Sequence, residues 1–143
     1  MTVASILAQK GSDIVTVNPD ESLLAVAQLL DKNRIGAVLA VDTEGKLAGI
    51  MSERDVVRAV ARGGPEALGE AVGSHMTKKV VTCKSEDRIS SVMLKMTEGK
   101  FRHVPVLDGG KLTGIISIGD AVKRRIADIE TEWRAMQDYI AAG

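Results

Sequence analysis

The chain has 143 residues, and its 19 basic side chains balance 19 acidic ones to a formal net charge of zero. That balance gives no global pull towards nucleic acid or an acidic membrane surface, and three aromatic residues, Phe101, Trp133 and Tyr139, are too few for the stacking platforms of a single-strand binder. At 45% hydrophobic the chain can build a core, which Val, Ile, Leu, Ala and Met must supply.

Residues 1–7 lack the basic stretch and long apolar run of a signal peptide. The longest apolar runs are about five residues, against the ~20 needed to span a bilayer. The single cysteine, Cys83, excludes an intramolecular disulfide, and the combination leads us to expect a cytoplasmic protein with no membrane partner. A β-branched run at 14–17 predicts a strand, broken by Asn18-Pro19-Asp20. Leu23, Val26, Ala27 and Leu30 then follow helical spacing. A strand over 37–41, a turn at 42–45 and a strand over 47–51 come next, and a helix begins at Ser52. Gly63-Gly64-Pro65 ends this unit and opens a linker. The same order returns: a strand around 80–82, with Cys83 as a buried structural thiol, and a helix on Ile89, Val92, Met93 and Met96 with Gly99 at its C-cap. Strands over 104–107 and 112–116 follow, and then a helix from Ser117.

The second half therefore repeats the first. At an offset of 66, Val15-Thr16 falls on Val81-Thr82, Val26 on Val92, Val38 on Val104 and Asp42 on Asp108. After one gap the offset becomes 65, and Gly49-Ile50 falls on Gly114-Ile115, Ser52 on Ser117 and Asp55 on Asp120. The unit is β-α-β-β-α used twice, and two units too small to close separate cores should pack together pseudo-symmetrically as an α/β fold. We expect residues 1–66 to form one repeat and 67–143 the other, as one intertwined module.

Two candidate sites recur at strand-to-helix junctions: Gly49-Ile50-Met51-Ser52-Glu53-Arg54-Asp55 and Gly114-Ile115-Ile116-Ser117-Ile118-Gly119-Asp120. Ser at the N-cap with Asp three residues later approximates a capping box, a purely structural role. The same geometry offers helix N–H groups and a hydroxyl to an anion, and a carboxylate suited to a ribose diol. Copy two carries Arg102-His103 where copy one has Gly36-Ala37, so the Asp120 site is expected to hold anions better, with Arg54 as the phosphate partner at the Asp55 site. Lys10 and Lys79 precede the first strands; each is within reach of a phosphate, and the expected state of both is a solvated lysine. No metal-ligand spacing, P-loop, dinucleotide glycine motif or nucleophile elbow is present. We therefore expect neither a metal nor enzymatic turnover.

The chain resembles a free-standing pair of CBS domains, a Bateman module. The resemblance rests on Ile14-Val15-Thr16-Val17-x-Pro19, Arg34-Ile35-Gly36-Ala37, Met76-Thr77-x-x-Val80-Val81-Thr82, Phe101-Arg102-His103-Val104-Pro105-Val106 and the two junction segments, and covers nearly all of 3–125. It implies an adenosine-containing ligand (AMP, ATP, NAD(H) or S-adenosylmethionine) between the repeats, with AMP and NAD(H) favoured. Ser52 with Asp55, and Ser117 with Asp120, would contact phosphate and ribose. Val15 or Val81 would line the adenine slot, and Ile35, Arg54, Arg102, His103 and Gly119 would complete the sites. The implied function is a regulatory sensor; the alternative is a dimeric protein-interaction module with vestigial nucleotide sites.

One feature exceeds the repeat. Val122, Ile126, Ile129, Trp133, Met136 and Ile140 are spaced 4, 3, 4, 3, 4, a heptad-type seam on a long C-terminal helix. It serves either to pack on its own module or as a subunit contact. A homodimer is expected, with an unidentified protein as a further candidate partner.

Overall fold

Thr2 starts the first element. Its hydroxyl accepts from the amide of Ser5, whose own side chain reaches back, and this capping box opens α1, Val3–Lys10. The computed structural model describes residues 1–143. After α1 come β1 (Thr16–Val17), α2 (Leu23–Asn33), β2 (Ala37–Val41), β3 (Leu47–Ser52) and α3 (Glu53–Gly63). Two short 3-10 turns, Pro65–Gly69 and Val72–Ser74, lead into α4 (Ile89–Gly99), β4 (His103–Asp108), β5 (Lys111–Ser117) and α5 (Ile118–Ala142). No helix is long and apolar enough to cross a membrane.

Repeat equivalence holds to the level of irregularities. The β2–β3 hairpin shifts register between Ala40 and Val41, and the β4–β5 hairpin does so between Val106 and Leu107, 66 residues on. Arg34 and Lys100, also 66 apart, end α2 and α4 in the left-handed region, with φ of 53° and 58°. Gly99, expected as the C-cap, is instead the last residue of α4. A Cβ there would fall 2.0 Å from the Phe101 ring, so its hydrogen makes room for that side chain.

The repeats differ at one strand. β1 pairs parallel with β2, continued by the Leu39 amide donating to the Val15 carbonyl at 3.1 Å. The strand expected at 80–82 is absent, and only a single parallel bridge forms, between Cys83 and Val106. The residue matching Leu39 is Pro105, which has no N–H to give the Val81 carbonyl. The first sheet therefore has three strands, β1-β2-β3, and the second two, β4-β5.

Each repeat's core is completed by the segment that precedes the other. Val3 and Ile6 of α1 are buried with Ile89, Val92, Met96, Val104 and Ile116 of the second repeat. Ala67 and Val72 are buried with Leu23, Val26, Val38 and Met51 of the first. The exchange is symmetrical: the Val3 amide donates to the Asp87 carbonyl, and the Val72 amide, 69 residues after Val3, donates to that of Glu21, 66 residues before Asp87. Cys83 is 3% exposed inside the second core, and burial pushes its thiol up to about 11.

Candidate functional site

The ends of β3 and β5 each deliver a serine to a helix start. The Ser52 hydroxyl accepts from the Asp55 amide at 3.3 Å while Asp55 Oδ2 accepts from the Ser52 amide at 2.8 Å. Ser117 and Asp120 form the same box, at 3.1 and 2.9 Å. Both pairs are thus true capping boxes. In the first turn of α3 the Glu53 amide is also taken, by the Gly36 carbonyl at 2.9 Å. Of the four orphan amides at that helix start, those of Ser52, Glu53 and Asp55 are taken, which leaves only that of Arg54 for a ligand.

The surroundings of the two carboxylates diverge. Asp120 Oδ2 lies 2.6 Å from Lys10 Nζ, which also donates to the Ile115 carbonyl at 2.8 Å. Desolvation raises the Asp120 pKa, but the bonds from Lys10 and Ser117 outweigh it and hold the carboxyl below its ordinary value. Lys10, expected to be solvated, instead ties α1 across the start of α5 and occupies the carboxylate. Asp55 has Arg58 at 3.5 Å from Oδ1, and the residue 69 positions after Lys10, Lys79, lines an open cleft beside it.

That cleft has a volume of about 350 Å³, within the range of small-ligand sites. Its floor is Ile50, Ser52 and the first turns of α3. Thr77, Lys79, Val80 and Val81 form one wall, and residues 99–103 the other. The first wall is pinned to β3 by two reciprocal backbone bonds of 3.0 Å between Ile50 and Thr77. The cleft therefore draws on both repeats. Arg54, Arg58, Lys79, Lys100 and Arg102 face it against two carboxylates, Glu53 and Asp55, so a neutral chain concentrates positive charge in one groove. Val80 and Val81 give it an apolar strip.

Of the candidate residues, Ser52, Arg54, Asp55, Val81, Arg102 and His103 come together here. Val15 packs against the first core, Ile35 lines a shallow groove beside α2 and α3, and Ser117, Gly119 and Asp120 lie at the start of α5. Arg102 and His103 were expected to favour the Asp120 site. They line the Asp55 cleft instead, because β4 enters beside Gly36, where a Cβ would lie 3.1 Å from the His103 ring. His103 was also expected to bring charge near neutral pH. Desolvation lowers its pKa and prevails over nearby Glu53 and Asp120, so its ring is neutral at pH 7. Sequence reasoning missed Arg58, Lys100 and Phe101. The sequence offers Lys79 as a phosphate contact, though as the lesser reading, and it lines the cleft. No group of three His, Cys, Asp or Glu side chains is clustered to hold a metal ion.

A family model described as CBS domain matches residues 3–62 and 72–127. The CBS-domain containing protein ATU1752 from Agrobacterium tumefaciens has a similar structure, with a TM-score of 0.85 and 48% identity over 87% of this chain and 92% of that one. The CBS domain protein PAE2072 from Pyrobaculum aerophilum, complexed with AMP, is 27% identical with a TM-score of 0.76, covering 84% and 89% of the two chains. The CBS domain pair of protein MJ0100, in complex with 5-methylthioadenosine and S-adenosyl-L-methionine, is 26% identical with a TM-score of 0.78, covering 90% and 97%.

Proposed function

The chain belongs to the CBS-domain family, and from that premise we propose that it is a regulatory module that binds an adenosine nucleotide, AMP or NAD(H), between its repeats without turning it over. The observation that carries this is the Asp55 cleft: five cationic side chains and an apolar strip, drawn from both repeats of a chain with no net charge. Phosphate would lie among Arg58, Lys79 and Arg102 at the start of α3, where guanidinium and ammonium donors make charge-assisted bonds. Ribose would meet Asp55 Oδ1 by displacing Arg58, and the base would lie along Val80 and Val81. The adenosine ligands of PAE2072 and MJ0100 support the choice of nucleoside. The positive lining favours a phosphorylated one over the uncharged 5-methylthioadenosine.

We place one nucleotide on each chain. At the pseudo-equivalent position Lys10 already satisfies Asp120 and bridges to Ile115. A ligand held by both repeats resists their separation, and it signals to the extent that it binds one arrangement of the repeats better than another.

Isothermal titration of ligand-stripped protein with AMP, NAD⁺, NADH, ATP and S-adenosylmethionine tests this. Saturable binding of AMP or NAD(H) at one site per chain is expected. Arg102→Ala, which removes an exposed side chain outside both cores, should weaken it by about 10- to 100-fold. Folded protein that binds none of the five refutes the proposal.

A further inference from the structure

From Ile129 onward every residue of α5 is exposed. This free stretch is not polar on all sides. Ile129 is 48% exposed, Trp133 60%, Met136 57% and Ile140 69%, and they continue a stripe begun by Val122 and Ile126 on the part of α5 that rests against the body. Apolar residues at alternating steps of 4 and 3 are the seam of a two-helix coiled coil. The partner must then match the charges that flank the seam. Lys123 and Glu130 lie on one flank, and Arg125 and Glu132 on the other. The basic residues come first along the chain and the acidic ones second, so the helix is complementary to its own reverse.

We propose that α5 pairs antiparallel with α5 of a second copy of this chain, centred between Ala127 and Asp128. Val122 then faces the partner's Trp133 and Ile126 the partner's Ile129, each contact made twice by the two-fold axis. Lys123 meets the partner's Glu130 and Arg125 the partner's Glu132, again twice each. Parallel pairing in register is poorer: Arg125 would still reach the partner's Glu130, but Glu132 would face the partner's Gln137 and Lys123 would face the partner's Ile118. Arg124 and Asp128 pair with each other at 3.3 Å within one helix and sit outside the seam. This surface is separate from the nucleotide cleft, and its test does not depend on nucleotide binding.

Sedimentation equilibrium of the full chain is the experiment. Wild type is expected to be a dimer. Trp133→Glu, at a position with no core contact, should be a monomer with unchanged circular dichroism of the folded body. Lys123→Glu sets like charges against the partner's Glu130 and should weaken the dimer roughly tenfold. Lys123→Glu with Glu130→Lys exchanges the charges within each pair and should restore it. A monomeric wild type, or a dimer untouched by Trp133→Glu, overturns the proposal. A dimer lost in Trp133→Glu but indifferent to Lys123→Glu overturns the antiparallel register.

Discussion

His103 and Asp120 show how neighbours decide what a side chain does. Burial holds the His103 pKa below its ordinary value of 6.5. The unfolded chain thus takes up this proton first. The neutral ring contributes stability fully above pH 6.5, and that contribution is lost as pH falls through the lower folded value. A phosphate beside the ring raises its pKa again, so the bound state holds more protons than the free one. Affinity for NAD⁺, whose phosphates stay ionised, should therefore strengthen as pH drops from 7.5 to about 5.5; titration calorimetry across that range checks it, and His103→Ala should flatten the trend. Asp120 has the opposite chemistry but a similar pH window rule: its pKa is held below 3.8. Its contribution is present above the ordinary carboxylate value and is lost as pH falls through the depressed one. Carbon-13 titration of the carboxyl in Lys10→Ala should show its pKa rising. The Ser-x-x-Asp pairs were legible in the sequence as caps and as site candidates at once. The capture of Asp120 by Lys10 was not, because it joins positions 110 residues apart through a helix, α1, that had not been identified. Thr2 at a cap and Val3, Ile6 and Leu7 at helical spacing would have shown that helix.

Strands and helices followed from periodicity wherever each element decides its own state. Alternation and turn residues gave both hairpins, and helical spacing gave α2 and α4. The residues around Val81 are as apolar and β-branched as those around Val15, yet only the first copy forms a ladder, because the missing donor belongs to Pro105 on the facing strand. A pattern read along one segment does not contain its neighbour's hydrogen bonds. Docking of the exchanged segments is likewise a property of pairs. A Cβ on Gly49 would lie 2.8 Å from the Thr77 carbonyl oxygen and 2.6 Å from the Met76 sulfur, whereas one on Gly114 would meet only the tips of Leu7 at 2.8 and 3.0 Å. Backbone cannot yield as a leucine tip can. Gly49→Ala should destabilise the fold by about 1–3 kcal/mol and Gly114→Ala by less, as measured by urea unfolding. Equal costs would mean that residues 76–77 are not held against β3.

At the scale of the molecule, duplication was visible in the sequence and its consequence was not fully so. Two repeats each complete the other's core, and this exchange brings the 77–81 wall and the β4 corner to the start of α3. The near-symmetry is broken where it matters for binding: one carboxylate is tied to Lys10, and the other opens on a groove rich in arginine and lysine. The most direct test of this account is a nitrogen-15 amide spectrum of the stripped protein titrated with AMP. The account predicts shifts centred on Ser52, Arg54, Asp55, Arg58, Lys79, Val80, Val81, Arg102 and His103, saturating at one equivalent per chain. Shifts centred on Ser117, Gly119 and Asp120, or none at all, would contradict it.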